Sequence, residues 1–372
     1  MKKRAIVSVI NDLVTDQRVK KTCQTLTDLG FEVTLTGRKM RSGPPMDDRP
    51  YKTVRMKLVA EKGPLFYACF NFRLFFFLLS RKSELLVAND LDTLLPNYLV
   101  SRMKNIPLVY DSHEYFTGVP ELVNRKKVQG VWKSIEKRIF PKLKTVITVN
   151  DSIAGLYEKE YGVRPFVVRN ISPSGTPPEI INRTSLGLPE DKFILILQGS
   201  GINVQRGAEE MVLAMNYIQK AVLLIVGGGD VVGKLKEMVK DNKLEDRVIF
   251  RPRQPHDELY KLTCAADLGL TLDKDTNINY RYSLPNKLFD YIQARIPVLA
   301  SPLPEIKKIV EKYDIGDFIA GHEPATIAEK VNEILANQEL MSKWKKNVNF
   351  AASELTWANE EQVLKNIFKE YA

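Results

Sequence analysis

The sequence has few of the residues that mark several protein classes. Only three of its 372 residues are cysteine, and Cys23, Cys69 and Cys264 are odd in number and far apart. Neither a disulfide framework nor a zinc site is expected, and a reducing cytoplasm fits. Only six apolar or small residues follow Lys2–Arg4 before Asn11, which is too short a run for a signal peptide.

Long hydrophobic runs are also scarce. The most apolar stretch, Leu65–Leu79, has 15 residues and contains Asn71 and Arg73, so we expect it not to cross a bilayer. Two interpretations remain open for it. It is either a helix packed on its own sheet or one that lies in a membrane interface, helped by nearby arginine and lysine.

The overall composition, 44% apolar and 27% charged, excludes disorder and collagen and describes a globular chain long enough for two domains. The net charge of +10 is uneven along the chain. There are 30 basic and 17 acidic residues before Ser172 and 25 and 28 from there on, which gives +13 and −3. The basic first half is consistent with nucleic acid, an anionic membrane, an anionic substrate, or simply a solvated surface.

Short apolar runs alternate with helical patterns along the whole chain, which predicts an α/β fold with parallel sheets. The segment from Asn170 to Lys192 is rich in proline and glycine without periodicity and is typical of a linker. We therefore predict two doubly wound domains facing a cleft. The expected strands are Ala5–Ile10, Val33–Thr36, Leu85–Ala88, Leu108–Tyr110, Val146–Val149, Phe193–Leu197, Val222–Val226, Val248–Phe250, Leu268–Leu272 and Val298–Ala300.

Ligands of open parallel sheets bind beyond the carboxyl ends of the strands. After Phe193–Leu197 the chain reads Gln198-Gly199-Ser200-Gly201, and Arg206-Gly207 then opens a helix. Glycine amides, a helix N-terminus and a guanidinium together suit a phosphate, although a plain strand-to-helix turn has the same pattern. A dinucleotide-binding turn is disfavoured, because Val204 stands at the third glycine position.

A second motif precedes the strand Val298–Ala300. Ser283 is the predicted N-cap, Pro285 suits the first helical turn, and Lys287 and Asp290 are three residues apart on one face. A lysine near phosphate and a carboxylate near sugar hydroxyls is the functional interpretation, and a surface ion pair is the alternative. In the first half, His113 follows the strand Leu108–Tyr110, where an imidazole can bond a sugar hydroxyl or be purely structural.

In order and spacing, these motifs resemble the retaining GT-B glycosyltransferases, specifically glycosyltransferase family 4. The resemblance covers nearly the whole chain. It is carried by Asp16–Val19, Leu29–Val33, Asn89–Pro96, Tyr110–Glu114, the loop to Arg206-Gly207, Pro285–Tyr291, Ile296–Val298 and a tail helix after Trp357.

The resemblance implies an acceptor-side domain at 1–170, a nucleotide-sugar domain at 190–355 and a terminal helix at 356–372 that returns to the first domain. It implies a retaining transfer in which the leaving diphosphate takes the acceptor's proton, with no metal and no cofactor. The implied catalytic residues are His113 and Arg206. The implied donor-binding residues are Gly199, Ser200, Gly201, Asn286, Lys287, Asp290 and Arg253, and the acceptor-side candidates are Asn11, Asp12, Arg18 and Asp90.

Three features of the sequence depart from the family pattern. Its two glutamates fall at Tyr282 and Asp290, Ser200 replaces a frequent arginine, and the loop 11–15 lacks glycine. The leading hypothesis is transfer of a hexose-type unit to a carbohydrate or lipid-linked acceptor, in the cytoplasm or at an anionic membrane surface. A poorly catalytic nucleotide-sugar scaffold and a nucleotide-sugar epimerase are alternatives. A nicotinamide enzyme is more distant, and nucleic acid is not an expected partner.

Overall fold

The computed structural model describes residues 2–14, 16–41, 43, 45–172, 175, 177 and 182–372. They form two compact units. Unit 1 comprises Met1–Asn170 and Ala358–Ala372, and unit 2 comprises Ile171–Trp357. Several residues of the expected linker, among them Pro173 and Pro178, lie outside the described residues, as does Thr15 of the loop 11–15.

The strands of unit 1 are β1 Arg4–Asp12, β2 Glu32–Lys39, β3 Lys52–Lys57, β4 Leu85–Asn89, β5 Leu108–Ser112, β6 Thr145–Thr148 and β7 Phe166–Val167. Those of unit 2 are β8 Phe193–Gly199, β9 Ala221–Gly227, β10 Val248–Arg251, β11 Leu268–Thr271, β12 Val298–Ala300 and β13 Gly316–Phe318.

The helices are α1 Gln17–Asp28, α2 Gly63–Ser80, α3 Leu91–Lys104, α4 Pro120–Val123, α5 Lys126–Ile139, α6 Asp151–Tyr161, α7 Ala208–Ala214, α8 Val232–Asp241, α9 His256–Cys264, α10 Ile278–Arg281, α11 Asn286–Gln293, α12 Pro304–Tyr313, α13 Pro324–Ala336, α14 Gln338–Glu354 and α15 Trp357–Lys369.

All ten expected strands are present. The sequence pattern missed β3, β7 and β13, which are edge strands of the two sheets. β7 and β13 have only two and three residues, too few for an apolar run to stand out. The strands also extend beyond their apolar runs, so that Asn11, Asp12 and Asp111 lie within strands rather than in the loops that follow.

Each unit contains one fully parallel, doubly wound sheet. The strand order is β3-β2-β1-β4-β5-β6-β7 in unit 1 and β10-β9-β8-β11-β12-β13 in unit 2. The order reverses between β1 and β4 and between β8 and β11, and ligand crevices of such folds open at these switch points. The predicted α/β fold is confirmed.

Continuous apolar strands form in both units because both faces of a parallel sheet are covered. In β8, Ile194 and Ile196 belong to one core cluster, whereas Leu195 and Leu197 belong to the cluster on the opposite face. This packing holds the strand ends in place, so the polar residues at the carboxyl edge are presented from a rigid support.

The apolar stretch of the first half forms α2, which is three residues longer than the run seen in the sequence. It has 18 residues with a mean hydropathy of 1.3, which is enough by length and composition alone for a membrane span. Its burial is one-sided. Phe66, Phe70, Leu74 and Leu78 form a buried stripe, whereas Phe72 is 66% exposed. The helix therefore packs on unit 1 along one face and presents aromatic side chains on another.

The last helix, α15, belongs to unit 1 from Ala358 onward. Its buried Glu360 carboxylate accepts hydrogen bonds from the backbone N–H and the Nε of Arg169, at 2.7 and 2.8 Å. At the chain end, Lys3 Nζ donates to the carbonyl oxygens of Tyr371 and Ala372. These contacts tie the two ends of the sequence to one unit.

Candidate active site

A cavity of about 540 Å³ opens at the switch point of the unit 2 sheet, and we call it the unit 2 cavity. It brings together every predicted donor-binding residue and Arg206. Its lining is Leu197, Gln198, Gly199, Ser200, Gly201, Ile202, Arg206, Val226, Gly227, Arg253, Gln254, Leu259, Pro285, Asn286, Lys287 and Asp290.

The floor of this cavity depends on two paired glycines. Gly199 ends β8 and lies opposite Gly227 of β9 in the sheet register. Gly227 has φ +138°, and a Cβ built on it would lie 1.8 Å from the Gly199 carbonyl oxygen. No side chain fits there, so the two strands end close together and leave space beyond their ends.

The main electrostatic feature is a cluster of two cations around one carboxylate. Asp273, which follows β11 and is fully buried, has Oδ1 3.3 Å from Arg206 Nη1 and Oδ2 3.8 Å from Lys287 Nζ. The Arg206 guanidinium also lies over the Tyr280 ring, 4.8 Å from its centre. One carboxylate leaves this group with an excess positive charge, which suits an anionic ligand.

The charge state of Lys287 is sensitive to its surroundings. Burial lowers the pKa of its ammonium group, the Asp273 carboxylate opposes that change, and Arg206 adds to it. Among the residues that the structure describes, the buried Arg206 Nε has no hydrogen-bond partner. An anionic ligand would therefore supply both a hydrogen-bond acceptor and a compensating charge.

Asp290 contributes the carboxylate of the cavity. Gln198 Nε2 donates to its Oδ2 at 2.9 Å, and the Ser172 hydroxyl donates to its Oδ1. Thr263 Oγ1 in turn donates to Gln198 Oε1 at 2.7 Å. Since a carboxylate has lone pairs beyond these two bonds, Asp290 is oriented and still able to accept from a ligand hydroxyl.

The start of α11 differs from the sequence prediction in its cap. Pro285, not Ser283, occupies the N-cap position, and no side chain caps the helix. Ser283 Oγ is instead buried, with no hydrogen-bond partner in the described part of the chain. The predicted Ser283 cap is wrong because the chain reaches Pro285 in an extended conformation, which begins the helix at Asn286 beside the cavity. Tyr282, at the end of α10, is not part of the cavity lining.

Arg253 contacts the protein rather than standing free. Its Nη2 donates to the Ser200 carbonyl oxygen at 2.6 Å, which fixes the loop after β8. It still lines the unit 2 cavity. Its contribution to a ligand site is therefore a positive charge at the wall and a firm position for Ser200.

In unit 1, His113 lies at the carboxyl edge of the sheet within a group of polar side chains. Its Nδ1 is 3.2 Å from Asp90 Oδ2, and its Nε2 is 3.2 Å from Asn89 Oδ1 and 3.7 Å from Asp111 Oδ2. Burial lowers the pKa of His113, but the Asp90 and Asp111 carboxylates outweigh it and raise the value to about 9. The imidazole is therefore cationic at neutral pH.

Asp90 has an unusual backbone conformation. Its φ of 60° and ψ of 163° lie in a region that is open almost only to glycine, which costs about 1–3 kcal/mol. The conformation is held by His113, whose backbone N–H donates to Asp90 Oδ1 at 2.9 Å, and by the Asp90 N–H bond to the Asp111 carbonyl oxygen. Strain of this kind at a sheet edge is typical of a functional site.

Two acceptor-side candidates, Arg18 and Asp12, lie in interior ion pairs. Arg18 is buried and forms a two-pronged pair with Asp111, at 2.7 and 3.0 Å, and its Nη1 donates to Val168. This pair holds the pKa of Asp111 well below its usual range, although burial opposes it. Asp12 is likewise buried, with Oδ2 2.6 Å from Arg55 Nη2. Arg18 and Asp12 are therefore engaged with other parts of unit 1, whereas Asn11 is exposed.

Sequence reasoning assigned no role to the residues that support the site. Asp273, Gln198 and Tyr280 position Arg206, Lys287 and Asp290, and only Gln198 stands in a motif that the sequence analysis singled out. The available signal for Asp273 and Gln198 was their place directly after an apolar strand. Many residues share that property, and only the strand order shows that β8 and β11 are neighbours.

The fold and the site together indicate a class of protein. The chain has the GT-B fold, and it resembles glycosyltransferase family 4. Residues 16–173 match the family model described as Glycosyltransferase Family 4, and residues 179–349 match that of Glycosyl transferases group 1. Both matches together extend over most of the chain.

Individual proteins of known structure share the fold at low identity. A sucrose-phosphate synthase from Thermosynechococcus elongatus is 19% identical with a TM-score of 0.79, and each chain is covered to 99%. Anabaena HepE in complex with UDP-glucose is 15% identical with a TM-score of 0.76, covering 99% of this chain and all of that one. These similarities show the fold alone.

One curated relative also matches part of this chain in sequence. The D-inositol 3-phosphate glycosyltransferase 1 of Catenulispora acidiphila is 24% identical over 263 residues, which is 64% of this chain. The matched region spans 60% of that relative's length.

Proposed function

We propose that this protein is a retaining glycosyltransferase that moves a hexose-type unit from a nucleoside diphosphate sugar to an acceptor in surface polysaccharide or glycolipid assembly. The observation that carries the proposal is the pairing of Arg206 and Lys287 around a single buried Asp273 in the unit 2 cavity. A cavity of this size holds a nucleoside diphosphate. HepE, which has a similar fold, forms a complex with UDP-glucose, and this supports a nucleoside diphosphate sugar as the donor.

Each cavity residue then has a defined task. Arg206 and Lys287 contact the diphosphate and stabilise the charge that grows on it as the glycosidic bond breaks. The glycine loop at Gly199–Gly201 and the amides at the start of α11 hold its oxygens. Asp290, oriented by Gln198, accepts from a ribose hydroxyl. No enzymatic base is needed, because the leaving phosphate takes the proton of the acceptor hydroxyl, and we propose that no metal is required.

In unit 1 we propose that the protonated His113 contributes a hydrogen bond to a substrate hydroxyl. Its Nδ1 is engaged with Asp90, whereas its Nε2 is shared between Asn89 and Asp111 at 3.2 and 3.7 Å. A substrate hydroxyl can therefore compete for Nε2 only.

The first experiment is a thermal-shift series with UDP, GDP, ADP, dTDP, CMP and NAD in EDTA. A nucleoside diphosphate at about 100 times its dissociation constant stabilises the protein by roughly 2.7 kcal/mol. Arg206→Ala and Asp290→Ala are expected to weaken binding about tenfold or more, and Arg281→Ala, which removes an exposed cation paired with Asp275, is the matched control. A response to NAD alone, or unchanged binding in both cavity variants, contradicts the proposal.

A second candidate is a nucleotide-sugar-binding subunit with little turnover. It is favoured by one observation, since Asp290 is the single carboxylate among the residues that line the unit 2 cavity. Metal-free hydrolysis or transfer of the bound donor distinguishes the two, because a scaffold subunit binds the nucleotide sugar and leaves it intact.

We further propose that unit 1 contacts an anionic membrane on its cytoplasmic side. α2 presents exposed Leu65, Phe72 and Phe76, and Arg73 lies exposed among them. Apolar side chains beside cations bind the interface of anionic bilayers.

A further inference from the structure

Unit 1 contains a second cavity that the proposed donor site does not use. We call it the unit 1 cavity. It has a volume of about 920 Å³, larger than the unit 2 cavity, and lies against α2, α3 and α5. Part of its wall is aromatic. The Trp132 ring meets the rings of Tyr67 and Phe116 at centroid distances of 5.3 and 5.4 Å.

The aromatic wall continues with aliphatic side chains. Leu122, Val128 and Val131 line the same cavity, and Val131 is 60% exposed. An apolar surface that runs from the interior to the exterior matches a ligand with a long aliphatic portion that enters from one side.

Two polar side chains that line this cavity each have one buried atom without a hydrogen-bond partner among the described residues. Asp92 is 5% exposed, and its Oδ1 has no hydrogen-bond partner among the residues that the structure describes. Asn71 Nδ2 donates to the Asp92 carbonyl oxygen at 2.9 Å, so the backbone there is fixed. Burial, and then repulsion by Asp90, raises the pKa of Asp92 well above its usual range. A carboxyl group with an unpartnered oxygen accepts a hydrogen bond from a hydroxyl.

The second such group is Arg38. Its guanidinium lies 5.0 Å from the centre of the Phe66 ring, and its buried Nε is unpartnered within the described residues. Exposed Lys62, Arg125 and Lys127 add positive charge at the rim and outnumber the carboxylates of Glu61 and Glu114. The charged part of a ligand in this cavity is therefore anionic.

We propose that the unit 1 cavity binds the acceptor of the reaction, and that this acceptor is an amphiphile with an aliphatic chain and a head group that carries hydroxyl and phosphate. The chain lies on the aromatic wall, a hydroxyl contacts Asp92, and the phosphate lies near Arg38 and the basic rim. Asn11, the exposed acceptor-side residue, lines the same cavity. This assignment rests on the proposed glycosyl transfer.

The test uses bromododecyl phosphate, because bromine quenches tryptophan fluorescence on contact and Trp132 is in the cavity wall. We expect saturable quenching of the full-length protein that Trp132→Phe removes, with binding by calorimetry retained in that variant. Ala68→Phe fills the cavity from α2 and weakens binding at least tenfold, whereas Ala358→Phe, at an exposed position on α15, leaves it unchanged. Inorganic phosphate competes poorly.

Asp92 is tested with a hydroxyl-bearing probe. Lysophosphatidic acid is expected to bind Asp92→Leu about fivefold more weakly than the unchanged protein, since one hydrogen bond is lost, while dodecyl phosphate changes less than about twofold. Equal losses for both probes overturn the assignment of the hydroxyl to Asp92.

The proposed site is overturned if quenching persists in Trp132→Phe or if Ala68→Phe binds the amphiphile as tightly as the unchanged protein. It is also overturned if inorganic phosphate competes as strongly as the amphiphile. UDP thermal shifts on the same preparations separate this result from failure of the proposed function. Intact UDP binding without amphiphile binding removes the acceptor site alone. Amphiphile binding without any nucleotide response leaves a lipid site and overturns its role as the acceptor site.

Discussion

The Arg206 guanidinium and the fully buried Asp273 carboxylate lie 3.3 Å apart, and Lys287 shares the same carboxylate at 3.8 Å. Asp273 therefore neutralises one of two cations that would otherwise repel each other in the unit 2 cavity. The remaining positive charge is available to an anionic ligand such as the proposed diphosphate.

Asp273→Asn removes that neutralisation. We expect the ligand-free protein to lose roughly 3–5 kcal/mol of unfolding free energy, as for one partner removed from a buried ion pair. UDP is then expected to raise the melting temperature more in the variant than in the unchanged protein, because it supplies the missing negative charge. Asp275→Asn, which disrupts an exposed pair with Arg281, is the control and changes stability little. A smaller UDP shift in Asp273→Asn would mean that Asp273 acts mainly by positioning Arg206.

Gly227→Ala tests the floor of the unit 2 cavity. The added Cβ would meet the Gly199 carbonyl oxygen at 1.8 Å, so β9 must shift away from β8. We expect a loss of several kcal/mol in urea unfolding, beyond the usual range of about 0.5–3 kcal/mol for point variants, together with weaker UDP binding. Gly233→Ala in α8 meets nothing within 4 Å and is expected to be neutral or to stabilise the protein. Similar losses in both variants would contradict the close approach at Gly227.

The His113 group makes the stability of unit 1 depend on pH. Because the folded-state pKa of about 9 is above the ordinary value of 6.5, the stabilisation is complete below about pH 6.5 and is lost as the pH rises through 9. The facing groups are Asp90 and Asp111, with Arg18 behind Asp111.

His113→Gln removes this titration. We expect the stability difference between the unchanged protein and the variant to be on the order of 3 kcal/mol at pH 6 and to shrink toward pH 9.5. Urea unfolding at both pH values measures it. A difference that does not change over this range would show that the pKa of His113 is not raised in the folded protein.

Phe72 and Phe76 on α2 are expected to mediate membrane contact. The double substitution Phe72→Ser with Phe76→Ser should reduce cosedimentation with anionic liposomes severalfold. The melting temperature should change little, because the two side chains are 66% and 49% exposed. Phe350→Ser, at a position in unit 2 that is 60% exposed, is the matched control. Equal liposome binding by the double variant and the control contradicts a role for this face.

Much of the fold can be predicted from the sequence, because parallel strands that are buried on both faces form continuous apolar runs. The ten expected strands rest on this signal. The edge strands β3, β7 and β13 have a weaker apolar pattern, because edge strands are short or less buried. The length of α2 was underestimated because Gly63 and Pro64 begin the helix without adding to its apolar run.

The candidate site divides in the same way. The glycine loop, Arg206, Lys287 and Asp290 follow from local patterns, and they do line one cavity. The ion pairs of Arg18 and Asp12 could not be predicted, because the partners, Asp111 and Arg55, are far along the chain. Ser283 has the right residue type for a helix cap, but the extended approach through Pro285 shifts the helix start.

The sequence by itself determined most strand-forming segments, the class of fold and several of the residues that line the unit 2 cavity, because apolar periodicity, glycine and helix-start signals act over a few neighbouring residues. Only the tertiary structure decided which charges are neutralised and which remain available. That outcome depends on pairs such as Arg206 with Asp273, which are distant along the chain and come together where β8 and β11 become neighbours.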